Sequence, residues 1–130
     1  MYTDFFPLQE ETYRLIGICM EVQRTLGYGF AEIIYKDAME VEFLNNQLPY
    51  VREKKLSLLY KNQLLSHQFQ VDFSCFNSII VEVKSCDKGI VTDHIAQLLN
   101  YLKVSGCEVG LLINFGKRKL EYQRFVLTNN

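Results

Sequence analysis

Apolar residues along the 130-residue chain recur at two periods, and the switches between the periods mark out its elements. Between residues 9 and 26, Leu15, Cys19, Val22 and Leu26 fall at i, i+4, i+7 and i+11, the stripe of an amphipathic helix. Gly27 and Gly29 end it, because glycine readily takes the left-handed conformation found at helix C-termini. A second helix is predicted over 30–47, with Ile34, Ala38, Val41 and Leu48 on one face and Pro49 as its stop. Three strands follow: 51–60, then 64–75 after the turn-like Lys61-Asn62-Gln63, then 79–85. Residues 92–104 read as a third helix, with Ile95, Leu98, Leu99 and Leu102 on its apolar face and Gly106 closing it. The stretch 109–115 is mostly apolar, as in a strand buried on both faces, and 121–127 forms a last strand after Gly116-Lys117-Arg118. The order ααβββαββ describes an α/β chain whose helices cover a sheet. Its length suits one sizeable core, so residues 1–130 are read as a single domain.

One strand breaks its own pattern. The run Ile79-Ile80-Val81-Glu82-Val83-Lys84 carries a carboxylate and an ammonium two residues apart, on one face of a strand otherwise suited to burial. Charges in such a place are costly unless they pair or bind a metal. If the preceding strand turns back through Phe76-Asn77-Ser78, Cys75 pairs with Ile79 and Asp72 falls opposite Glu82. A two-residue Asn77-Ser78 turn would shift that register by one. Like charges directly opposite each other repel, which calls for a cation or an edge open to water.

Asp72, Glu82 and the Val83 backbone carbonyl together make an all-oxygen donor set suited to Mg²⁺ or Mn²⁺. Such an ion lowers the pKa of bound water and neutralises charge on a phosphoryl oxygen. Lys84, on the same face, could orient the attacking water or stabilise the transition state. A structural salt bridge fits the same spacing. About one acidic-x-Lys match is expected by chance in a chain of this charge content, and Glu53-Lys54-Lys55 supplies a decoy in a charged run without buried context. Gln97 and Tyr101 lie four apart on the third helix and share a face, where they could hold a phosphate or a nucleotide end. Glu32 opens the second helix in Gly29-x-x-Glu32-x-x-Tyr35, a position that the helix dipole alone would also favour.

Composition narrows the setting. A net charge of −1 argues against a general electrostatic grip on nucleic acid, so any such grip must come from local patches, with Arg52/Lys54/Lys55 and Lys117/Arg118/Lys119 as candidates. No apolar run approaches the roughly 20 residues that span a bilayer, and Met1–Phe6 lacks the basic start of a signal peptide, so a cytoplasmic location without membrane contact is expected. Cys19, Cys75, Cys86 and Cys107 show no CxxC spacing and read as small buried hydrophobes. His67 and His94 have no second ligand at zinc-like spacing, although His94 lies near the candidate site.

Taken together, Gly29-Phe30-Ala31-Glu32-Ile33-Ile34-Tyr35, Asp72, Glu82-Val83-Lys84, Gln97-Leu98-Leu99-Asn100-Tyr101 and Leu111-Leu112-Ile113-Asn114-Phe115-Gly116 resemble the GxxExxY proteins. That prokaryotic group is assigned to the PD-(D/E)xK nuclease superfamily, and the resemblance covers about residues 10 to 127. It implies a restriction-endonuclease-like core with a central mixed sheet flanked by helices. It also implies metal binding by Asp72 and Glu82, a catalytic Lys84, a further acidic residue in Glu32, and substrate contacts from Gln97 and Tyr101. Val71 stands at the loosely held position before Asp72 where proline gives the superfamily its name. The expected activity is Mg²⁺-dependent hydrolysis of DNA, with RNA as the lesser substrate. So small a domain would work on ends, nicks or single strands, as a homodimer, or with a protein partner that delivers substrate. A non-catalytic nucleic-acid-binding or assembly module on the same fold is the alternative.

Overall fold

The computed structural model describes residues 7–127; Met1–Phe6, read above for the absence of a basic leader, lies outside them. Helix α1 (Gln9–Leu26) buries Leu15, Cys19 and Val22 of the expected stripe, with Ile18 beside them and Leu26 only partly buried. It ends where the Gly27 N–H donates to the Gln23 carbonyl at 2.7 Å.

Helix α2 (Glu32–Asn45) is shorter than expected and turned about its axis. Its buried face is Tyr35, Met39 and Phe43 together with Lys36, whereas Ile34 and Val41 are exposed. Apolar residues surround this helix, so spacing alone did not decide which stripe faces inward. The aromatic rings decided it. Tyr35 stacks on Phe115 with centroids 4.3 Å apart, and Phe43 meets Phe73 edge-on at 5.2 Å.

The first two expected strands each divide. Strand β1 (Tyr50–Leu56) runs into β2 (Leu59–Tyr60), and β3 (Gln63–Leu64) leads to β4 (Phe69–Cys75). β2 and β3 pair only with each other, as Leu59–Leu64 and Tyr60–Gln63, around Lys61-Asn62, which both take positive φ as the tightest hairpin turns require. Strand β5 (Ile79–Lys84), helix α3 (Thr92–Ser105), β6 (Val109–Asn114) and β7 (Glu121–Val126) complete the chain.

The main sheet has the order β1-β4-β5-β6-β7 and is mixed: β5 and β6 are parallel and the other neighbours antiparallel. A parallel pair needs a crossover, and α3 provides it. Helices α1 and α2 cover one face, over Phe73, Cys75, Val81, Val83, Leu111 and Ile113. Helix α3 covers the other, with Leu98, Tyr101 and Leu102 over Leu56, Val71, Ile80 and Leu112.

Those two faces expose an irregularity. Residues 71, 73 and 75 should share one face of a strand, yet Phe73 and Cys75 belong to the α1/α2 layer and Val71 to the α3 layer. Tyr50 and Leu56 in β1 are divided in the same way. The change of face falls at Asp72 in β4 and at Glu53 in β1, which has a φ of 54°. In register these two residues are neighbours, between the pairs Arg52–Phe73 and Lys54–Val71.

Candidate active site

The hairpin between β4 and β5 has the expected register, Cys75–Ile79, Ser74–Ile80 and Phe73–Val81, and there the ladder stops. The next pair would be Asp72 with Glu82. Their side chains instead bond to the backbone that the ladder has released. The Asp72 N–H donates to Glu82 Oε2 at 2.6 Å, and the Val83 N–H donates to Asp72 Oδ2 at 2.7 Å. The N–H and C=O of one strand residue point to the same edge, so the Val83 carbonyl also faces this opening. β4 and β5 thus part at two carboxylates and a carbonyl.

Glu82 is 4% exposed, beside Ile80 on the α3 face of β5. Burial, reinforced by the charge of Asp72, pushes its carboxyl up to about 8, well above the ordinary carboxylate range. Asp72 is only half-buried, and Lys36 reaches it from α2 with Nζ 3.0 Å from Oδ1 and 3.3 Å from Glu53 Oε1. Burial alone would lower the Lys36 ammonium; the Asp72 and Glu53 carboxylates outweigh it and raise it. Glu53, Asp72 and Glu82 therefore form one row across three strands, with Lys36 bridging the first two.

Lys84, half-buried at the end of β5, donates to Gln97 Oε1 at 3.5 Å. Tyr101 lies one turn further along α3, packed at 5.6 Å against Phe69. Its hydroxyl is raised by burial, then by the charges of Glu82 and Asp72. Asp72, Glu82, Lys84, Gln97 and Tyr101 are thus gathered from three elements. Glu32 is exposed at the start of α2, one turn before Lys36 on the same face. Among the described residues no hydrogen bond or ion pair joins it to Asp72, Glu82 or Lys84.

The other motif residues hold the frame. The Tyr35 hydroxyl donates to the Gly27 carbonyl at 2.8 Å and accepts from the Phe30 N–H at 3.2 Å, fixing the turn before α2. Asn114, fully buried, accepts from the N–H groups of Cys86 and Gly116 and donates to the Cys86 carbonyl at 2.9 Å, tying down the loop that follows Lys84. Gly116 lies against that loop so closely that a Cβ there would fall 2.3 Å from the Cys86 nitrogen. Over the loop opens a cleft of about 650 Å³ lined by Gly29, Ser85, Cys86, Lys88 and His94, outside the carboxyl ends of the parallel strands. The His94 Nδ1 accepts from the Val91 N–H at 3.2 Å.

Lys36 and Glu53 were missed by spacing. Glu53 is exposed, as its charged run implies, and its tie to the row comes only through Lys36, a residue on a separate helix. The one sequence signal is the lysine at i+4 from Glu32, on the helix face that carries that candidate carboxylate.

Among the described residues no group of three or more His, Cys, Asp or Glu side chains is arranged to hold a metal ion. The donors that converge are two carboxylates and one carbonyl. They fit a hard, largely hydrated cation, because the buried Glu82 carboxylate beside Asp72 forms no ion pair among the described residues, and the nearby charges of Lys84 and Lys36 do not offset its burial. Among the described residues no helix is long and apolar enough to cross a membrane.

A family model of the PD-(D/E)XK nuclease superfamily matches residues 9–125. The solved structure of SSO0001 superposes with a TM-score of 0.58 at 19% identity, a likeness of fold, over 95% of this chain and 61% of that one. No curated protein matches the sequence. The chain belongs to the PD-(D/E)XK nuclease superfamily.

Proposed function

From that membership, we propose that the chain is a divalent-cation-dependent nuclease of the GxxExxY type that hydrolyses phosphodiester bonds in DNA, and less readily in RNA. The observation carrying this reading is the row where β4 and β5 part. A buried carboxylate, a second carboxylate and a backbone carbonyl share one opening, with a lysine two residues along. Asp72, Glu82 and the Val83 carbonyl would hold Mg²⁺ or Mn²⁺, with Glu32 adding negative charge at the rim. When bound, the ion neutralises charge on the scissile phosphate and makes water a better nucleophile.

The remaining steps fall to the chain. Lys84 places its ammonium next to the opening, where it orients water or offsets charge developing on the phosphate. Gln97, already in contact with Lys84, and Tyr101 position the nucleotide end on α3. The cleft beyond Lys84 has room for the adjoining nucleotide. The single domain would act in the cytoplasm on ends, nicks or single strands, as a homodimer or with a partner that delivers substrate.

The Lys36–Asp72 ion pair favours a second reading, a non-catalytic module in which an internal ammonium takes the place of the ion. Calorimetric titration with Mn²⁺ separates the two. The nuclease reading expects binding by the wild type, its loss in Asp72→Ala/Glu82→Ala, and a drop in cleavage of roughly 100-fold or more in Lys84→Ala with metal binding retained. Equal binding by wild type and double variant, or full cleavage by Lys84→Ala, would sink it.

A further inference from the structure

The chain from Ser57 to Gln68, between β1 and β4, stands out from the body. Every residue in it is exposed except Leu58, which is half-buried. Two residues per strand make a ribbon too short to be stable through pairing alone. It nevertheless presents Leu59 at 63%, Tyr60 at 59% and Leu64 at 68% exposure, with Leu59 and Leu64 directly paired. Exposed apolar side chains grouped on a projection mark a contact surface.

Charge identifies the partner. The chain carries 15 acidic residues, yet none falls between Glu53 and Asp72, while Lys54, Lys55 and Lys61 all do. This is the local basic patch that a chain of net charge −1 needs in order to meet a polyanion. Position agrees. β1 and β4 carry the ribbon outward from the row of Glu53 and Asp72, and Lys61 lies within a strand length of roughly 26 Å from Glu53. A duplex major groove, about 12 Å wide, admits a two-stranded β-ribbon.

We propose that the β2–β3 ribbon is a nucleic-acid-binding arm that grips duplex DNA flanking the site. Lys54, Lys55 and Lys61 contact phosphates, and Leu59, Tyr60 and Leu64 pack into the groove. The assignment rests on the nuclease reading for the nature of the substrate, but its test involves no catalysis.

The test is fluorescence anisotropy with a labelled 20-base-pair DNA duplex, in EDTA and across a salt series. Wild type is compared with Lys54→Gln/Lys55→Gln/Lys61→Gln and with Leu59→Ser/Tyr60→Ser/Leu64→Ser. The lysine variant should lose affinity roughly 10- to 100-fold at low salt and flatten the slope of log K against log salt by about 2 to 3. The apolar variant should lose roughly tenfold with its slope unchanged. Both sets of side chains lie outside the buried core, and matching thermal melts would confirm intact folds. If wild type binds duplex and both variants bind equally well, the arm is not the grip, while the nuclease reading stands. If wild type does not bind duplex, the arm assignment fails, and cleavage of single strands remains the separate test of the nuclease. A wild-type dimer in sedimentation that the apolar variant dissociates would reassign the arm to self-association.

Discussion

Strand β5 is bordered in two different ways. Along β6 all six of its residues, Ile79 to Lys84, are paired in parallel register; along β4 only Ile79, Ile80 and Val81 are paired. The β6 side is a finished structure: Val109 to Asn114 are all buried, and the crossover helix closes over them. On the β4 side, backbone pairing gives way to side chains, and carboxylates accept the N–H groups that carbonyls would otherwise have taken. The site is thus built from unfinished sheet. Its carboxylates are aimed by backbone bonds rather than by rotamer packing, and the adjoining full ladder keeps β5 from following β4 as it curls away.

That contrast can be broken at either border. The largest effect belongs to the closed one. Leu111→Ala, at a fully buried position of β6, should cost about 3–5 kcal/mol in urea unfolding. A cost below about 1 kcal/mol would mean that the β6 side is not the rigid one.

At the open border, Glu82→Gln keeps an acceptor for the Asp72 N–H and removes the charge. The Glu82 carboxyl is raised from 4.5 to about 8 on folding, so between those values the folded state holds a proton that the unfolded state has lost. Wild-type stability should therefore fall as pH rises from about 4.5 to 8 and level off above. The glutamine variant should lack that slope and be more stable at pH 9 by roughly 2–3 kcal/mol, while losing Mn²⁺ binding. Parallel pH profiles for the two proteins would show that Glu82 is not strained.

The smallest effect concerns the ammonium that crosses the row. Lys36→Gln should destabilise the chain by about 1–2 kcal/mol, because it leaves Asp72 and Glu53 without their shared partner. The same change should tighten Mn²⁺ binding by roughly several-fold, since the ammonium no longer competes for Asp72. If binding weakens instead, Lys36 organises the site rather than standing in for the ion.

The two borders were not equally legible in the sequence. The closed one was legible in its elements: the mostly apolar run at 109–115 reads as a strand buried on both faces and 92–104 as a helix with a clear stripe, while the parallel pairing of β5 with β6 comes from the structure. Of the two β4–β5 registers that the sequence leaves open, the one set by Phe76-Asn77-Ser78 forms; Asn77 readily accepts its φ of 55°, but Phe76 takes the same value with no mark in its residue type. What lay further off was hidden. Glu53 meets Asp72 only through a register set after the whole β2–β3 excursion, and a lysine on a helix carries no mark of the strand it will reach. Spacing does not fix the inward face of α2, because Ile34 and Val41 are as apolar as Met39 and Phe43; which set turns inward depends on the rings of Phe73 in β4 and of Phe115 just past β6. Strands β1 and β4 change face at residues that show nothing unusual in type, so a period-2 reading carries straight through them.

The Ser57–Gln68 projection contributes no fully buried side chain to either layer. Its sequence and length can change with little thermodynamic penalty, because lengthening a surface excursion costs only about 0.6 kcal/mol per doubling. Stability in this chain resides in one set of residues and reach in another. A lineage can then reshape this excursion by insertion, deletion or exchange while the row of Glu53, Asp72 and Glu82 and its supporting sheet stay as they are.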